Sequence, residues 1–121
     1  MNQKELLAEI TEKSSFPQVQ QYIKKVAELR GFSNEPVLQT MLLLLEETGE
    51  LAKAIRKAAT KMSIDTDKIH NYDTVESEVA DVFFVLTSVC NQMNIDLLSA
   101  LKAKEIKNCE RNWCFERCPQ E

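Results

Sequence analysis

"LLLLEETGEL", residues 42–51, sets the problem of this chain: a leucine run dense enough for a protein core is interrupted by Glu46, Glu47 and Glu50. Glutamate is among the residues least often buried without a partner. A helix reconciles the two. At about 100° per residue, with Leu43 at zero, Glu47 falls near about 40°, Glu50 near about 340° and Ala54 near about 20°. Two carboxylates therefore share one stripe with apolar neighbours, and their i,i+3 spacing brings both within reach of one ion or one water. The plainer alternative is a solvated helix edge whose acids pair with Lys53, Arg56 or Lys57.

A second stretch repeats the pattern. With Glu78 at zero, Asp81 falls near about 300°, Val82 near about 40°, Val85 near about 340° and Val89 near about 20°. If the two helices pack antiparallel, the pairs face each other. Four converging carboxylates need neutralising, because even one unpaired ion removed from water costs on the order of several kcal/mol. Raised pKa values or bound cations would do it. A donor set of oxygens alone suits a hard ion, Mg²⁺ or alternatively Mn²⁺. A di-iron site of the ferritin type would want Glu-x-x-His, and the one histidine, His70, falls in a loop.

Around these two helices the remaining segments also read as helical. Residues 3–13 carry Leu6, Leu7 and Ile10 and predict a short amphipathic helix ending near Ser14-Ser15. From Pro17 to Arg30 apolar residues recur at helical spacing, and Gly31 stands where a C-terminal cap glycine belongs. Ser33 or Asn34 is placed to cap the third helix, with Pro36 in its first turn and an end near Met62. Residues 63–72 read as a loop, which holds His70 and Tyr72. Asp73 and Glu76 resemble a capping box opening a helix to about Met93, and Asp96 caps a last helix through about Trp113. The run Val82–Leu86 has strand propensity but lies inside a longer segment without Gly or Pro, so it too reads as helix. The expected fold is all-α, a four- to five-helix bundle. Residues 41–45 and 82–86 are apolar almost all round their helices, more than one small bundle covers, which predicts a core completed across a homodimer or homotetramer.

Bulk composition narrows the function. A length of 121 residues fits one domain, residues 1–121, with residues 1–15 as an N-terminal extension helix and 114–121 as a cysteine-containing tail. A formal charge of −4 offers no basic stripe for duplex nucleic acid. The start, MNQKELLAEITEK, has no apolar run of the signal-peptide kind, and nothing approaches the roughly twenty apolar residues that span a bilayer. No membrane partner and a cytoplasmic location are the expectations. Four cysteines without a secretory signal then read as reduced thiols. A zinc site of Cys109, Cys114 and Cys118 would need the helix to break, since Cys109 points about 140° away from Cys114.

Taken together, Glu46-Glu47-Thr48-Gly49-Glu50 (EExxE) and Glu78-Val79-Ala80-Asp81 (ExxD) resemble the MazG-like all-α nucleoside triphosphate pyrophosphohydrolases. "AELRGF" (27–32) is similar to the family's Glu-Arg-Gly-Trp helix ending, with Leu29 for the acid and Phe32 for the tryptophan. Lys104, Asn108 and Arg111 repeat its K-x3-N-x2-R spacing. The likeness spans about residues 17–113; the 27 residues between Glu50 and Glu78 make a long spacer for the family, and the N-terminal helix and cysteine-rich tail lie outside it.

This resemblance implies Mg²⁺-dependent hydrolysis of a (deoxy)nucleoside triphosphate between its α and β phosphates, giving the monophosphate and pyrophosphate. It also implies Glu47, Glu50, Glu78 and Asp81 as metal ligands, with Glu46 a supporting acid that orients water. Lys53, Lys104, Asn108 and Arg111 are implied as donors to phosphate or sugar, and Phe32, Tyr72 or Trp113 as stacking partners for the base. Gly49 is expected to give a neighbouring helix or a metal-bound water room between Glu47 and Glu50. Two other readings stay open: a helical interaction module that kept the fold and lost the chemistry, and a phosphoribosyl-ATP pyrophosphohydrolase.

Overall fold

A computed structural model describes residues 1–65, 67 and 73–116. They form five helices and, among the described residues, no strand: α1 (Gln3–Ala8), α2 (Phe16–Leu29), α3 (Val37–Ala59), α4 (Val75–Gln92) and α5 (Leu97–Cys109). The all-α expectation holds, and Val82–Leu86 lies inside α4. His70, Tyr72, Cys118 and most of the expected interhelical loop fall outside the described residues.

Helix α1 stops earlier than the predicted residue 13, because side-chain oxygens there satisfy the backbone in a competing way. Ser14 Oγ accepts from the Thr11 amide at 2.9 Å, and Thr11 Oγ1 accepts from the Lys13 amide at 3.2 Å. Two residues on, Ser15 and Gln18 form a reciprocal capping box that starts α2. Helix α2 ends as the glycine implied: Gly31 adopts φ +82°, the Phe32 amide donates to the Ala27 carbonyl at 2.9 Å and the Gly31 amide to Glu28 at 3.1 Å. That pair of bonds is the Schellman motif, which a β-carbon at position 31 would strain.

Four further boundaries differ from expectation. Neither Ser33 nor Asn34 caps α3; Pro36 stands at its N-cap without a side-chain bond. The helix gives out at Ala59, because Thr60 goes extended and turns its hydroxyl back to the Arg56 carbonyl. Thr74, not Asp73, caps α4, its Oγ1 accepting from the Ser77 amide at 3.1 Å. Helix α5 is capped by Asp96 as predicted, Oδ1 accepting from the Ser99 amide at 3.0 Å, but ends at Cys109 rather than Trp113.

The dominant pairing is α3 against α4, with α2 laid on α4, α1 on α2 and α5 also on α2. The core is small: Leu6, Ile23, Val26, Ala27, Ala54, Val85 and Cys90. Helix α5 leaves α4 at 95°. Asn94 at φ 55° turns that corner, and Gln20 pins α2 to it, its amide donating to Asn91 Oδ1 at 2.9 Å and to the Ile95 carbonyl at 2.7 Å. No single helix among the described residues is long and apolar enough to cross a membrane. Cys90 and Cys109 are free thiols, whereas Cys114 is disulfide-bonded, so the expectation of reduced thiols fails there. The absence of a signal speaks to compartment, and a compartment argument does not govern each thiol.

Gly49 lies within α3, and a β-carbon added there would meet nothing within 4 Å. Among the described residues no other element uses the space expected for a neighbouring helix. Gly49→Ala should therefore stabilise the fold by about 1 kcal/mol through helix propensity alone, seen as a higher urea midpoint at unchanged slope.

Candidate metal centre

The α3–α4 pairing sets Glu47 opposite Glu78 and Asp81. One carboxylate oxygen from each lies within 4.8 Å of the other two. Glu78 is 5% exposed, Glu47 half-buried and Asp81 exposed, so the cluster has a closed floor and an open side.

Their electrostatics follow. Burial pushes the Glu47 carboxyl above its ordinary range, and the charges of Asp81, Glu78, Glu46 and Glu50 push in the same direction. Glu78 is raised first by burial, then by Asp73, Asp81 and Glu50, with Lys53 opposing. Glu46, Glu50, Glu78 and Asp81 thus each act on at least one member of the trio. Asp73, read from sequence only as a helix cap, proves to be a further negative charge bearing on Glu78. A self-repelling set of oxygen donors, closed on one side and open on the other, fits a divalent cation with room left for water or a ligand.

The other predicted residues are distributed unevenly. Glu50 stands outside the trio, where Lys53 Nζ meets its Oε2 at 3.0 Å. Glu46 is exposed. Phe32 lines a cavity of about 520 Å³ that also reaches Glu47 and Asp81. Lys104 and Asn108 lie on α5 and Arg111 just beyond it; none of the three lines that cavity. The Asn108 Oδ1 is buried without a hydrogen-bond partner among the described residues. Trp113 is 72% exposed and donates through Nε1 to the Asn108 carbonyl at 2.7 Å.

Beyond the acids, the cavity passes Leu43, Phe84 and Val85 to Ser88 and Gln92, with Tyr22, Arg30 and Phe32 contributed by α2 and its cap. Its volume suits a small molecule, for which pockets run from about 300 to 1,000 Å³. Apart from Phe32, sequence reasoning missed these residues although a signal existed. Ser88 and Gln92 fall within about 20° of Asp81 on the α4 wheel, so the acidic stripe continues into the cavity wall. Arg30 stood within the quoted "AELRGF" without being assigned a task.

An all-α framework that gathers carboxylates at one end of a ligand-sized cavity defines a class of helical proteins able to hold a cation beside a small substrate. The family model for the MazG nucleotide pyrophosphohydrolase domain matches residues 35–115, and the chain belongs to that family. Among solved structures it is similar to the crystal structure titled "putative pyrophosphatase YPJD" from Bacillus subtilis, with a TM-score of 0.71 and 22% identity. The alignment covers 84% of this chain and 100% of that one, and shows that the two share a fold. No curated protein matches the chain.

Proposed function

We propose that the protein is a Mg²⁺-dependent nucleoside triphosphate pyrophosphohydrolase that converts a (d)NTP and water to the (d)NMP and pyrophosphate, clearing surplus or non-canonical nucleotides. The observation that carries this reading is the meeting of Glu47, Glu78 and Asp81 within 4.8 Å at the end of the cavity. Glu50 completes the ligand set in this proposal. Its ion pair with Lys53 is part-exposed, a type worth about 0–1 kcal/mol, so releasing Glu50 to a cation costs little. Lys53, one turn beyond Glu50, is assigned as a donor to phosphate in this proposal. Glu46 holds the attacking water. For Lys104, Asn108 and Arg111 the proposal rests on the resemblance of their spacing. Divalent cations at such a site neutralise triphosphate charge and lower the pKa of water; Mn²⁺ would serve as a substitute.

The test is a panel of canonical and modified (d)NTPs, and phosphoribosyl-ATP, incubated with Mg²⁺, with pyrophosphate assayed apart from orthophosphate. Pyrophosphate as the released product supports the reading, and its absence from every substrate would sink it.

We also infer a homodimer or a dimer of dimers. Leu38, Leu42 and Leu45 are 76%, 67% and 65% exposed and form one stripe of α3, while Val79 and Leu86 of α4 are 49% and 41% exposed. The chain exposes 9810 Å². A compact monomer of its mass, 13.9 kDa, would expose about 6,700 Å². The excess is of the size buried in obligate interfaces. Leu42→Glu with Leu45→Glu should therefore halve the solution mass or drive the chain to aggregate, as read by light scattering, whereas an unchanged mass would place the interface elsewhere.

A further inference from the structure

Among the described residues that line the cavity, one carries a positive charge, Arg30. Its guanidinium lies over the Phe84 ring, Cζ 5.4 Å from the centroid, and Phe84 is three residues beyond Asp81 on α4. Arg30 is also tethered from the other side: Nε donates to Gln3 Oε1 at 3.0 Å, across 27 residues of chain. Gln3 opens α1, held there by the capping box of Asn2 with Glu5 and by Leu6, 5% exposed, packing inward. The backbone under Arg30 is fixed as well, because Arg30 is the C-cap of α2 and Gly31 closes the Schellman turn behind it.

With Nε engaged by Gln3 and one guanidinium face on Phe84, the terminal Nη1 and Nη2 groups have no protein partner among the described residues. A planar fork pre-oriented in this way matches two oxygens of a phosphate. The need for it is electrostatic. The polyphosphate tail enters a cavity lined by three acids, Glu35, Glu47 and Asp81, and cations at Glu47 and Asp81 leave the rest of it negative. The far end of the tail needs a second positive group, and Arg30 is the one the described lining supplies.

Resting on the pyrophosphohydrolase reading, we propose that Arg30, positioned by Gln3 of the N-terminal helix, is the arm that binds the leaving polyphosphate, the β and γ phosphates, of the substrate. The family model's match begins at residue 35, while Arg30 falls in the "AELRGF" stretch that resembles the family's Glu-Arg-Gly-Trp helix ending, and Gln3 lies outside both. In consequence α1 is part of the substrate site.

Inorganic tripolyphosphate with Mg²⁺ tests this without reference to any base, by calorimetric titration of the full chain. Arg30→Gln should weaken tripolyphosphate binding about tenfold, the loss expected for one charge-assisted contact, and should leave affinity for Mg²⁺ alone unchanged. Gln3→Ala should weaken tripolyphosphate several-fold in the same direction while the thermal midpoint stays within a few degrees. Arg30→Lys, which keeps the charge and loses the fork, should fall between wild type and Arg30→Gln. Nucleoside monophosphate affinity should not change in any variant; an equal loss for monophosphate and tripolyphosphate would make Arg30 a base platform and overturn the assignment. Equal tripolyphosphate affinity in wild type and Arg30→Gln, including none in either, would overturn it too. In turnover, Arg30→Gln should raise KM more than it lowers kcat. The two readings fail separately: nucleotide turnover with an Arg30→Gln KM equal to wild type removes the arm alone, whereas no turnover of any nucleotide removes the enzyme.

Discussion

Glu78→Gln is expected to abolish detectable pyrophosphate release, and Glu47→Gln and Asp81→Asn to lower kcat/KM at least about 100-fold. The magnitude follows from the place of these side chains: even residues that merely orient a metal ligand typically cost about 10- to 100-fold when replaced, and these three are the proposed ligands themselves. Glu78 should show the largest loss because it is the buried member, 5% exposed, with least room for water to take its place. The same substitutions should leave the helices intact or firmer, since each removes a charge that its neighbours repel. Circular dichroism and a urea midpoint equal to or above wild type, together with lost turnover and lost Mg²⁺ heat, is the expected combination. Glu50→Gln should reduce turnover by a smaller factor, because Glu50 stands outside the trio and must leave Lys53 to join it. Turnover surviving in Glu78→Gln or Asp81→Asn at saturating Mg²⁺ would refute the ligand assignment.

The second large effect couples stability, pH and metal. Glu47 and Glu78 have carboxyls raised above the ordinary value of 4.5 in the folded chain. Between that ordinary value and the raised one, the folded state binds more protons than the unfolded state, so the metal-free protein loses stability as pH rises through the window and levels off above it. The direction is opposite to that of an ion-paired carboxylate. Millimolar Mg²⁺ should reverse the trend, because it binds the deprotonated trio of the folded state; saturation at about 100 times Kd corresponds to about 2.7 kcal/mol. Thermal midpoints from pH 4 to 8, with EDTA and with Mg²⁺, should diverge increasingly toward neutral pH. Parallel curves would mean that the acids are relieved by something other than a cation. In Glu47→Gln the EDTA curve should flatten, which separates this origin from a general charge effect.

Much of the fold was legible because helices are local. The periodicity of apolar residues, Asp96 as a cap and Gly31 as a terminator each act within a turn or two of chain, and the structure places both residues as helix-end signals. The misread ends were local as well, but there two candidates competed: Asp73 and Thr74 both offer an oxygen to the first turn of α4, and only the backbone path decides for Thr74. Thr11 and Ser14 likewise diverted the chain from a helix that periodicity alone would have continued.

For the site, sequence by itself determined that Glu47 lies on one helix stripe and that Glu78 and Asp81 are held one turn apart on another, since that is fixed by 3.6 residues per turn. It could not determine that these three meet while Glu50 turns to Lys53, because that depends on how α3 and α4 rotate against each other in packing. Nor could spacing show that Gln3 reaches Arg30 across 27 residues, or that α5 packs on α2 rather than walling the cavity. Hydrogen-bond periodicity is a property of neighbours in the chain. The meeting of carboxylates, the cavity between α2, α3 and α4 and the tether on Arg30 are properties of contacts between distant segments, which only the tertiary structure decides.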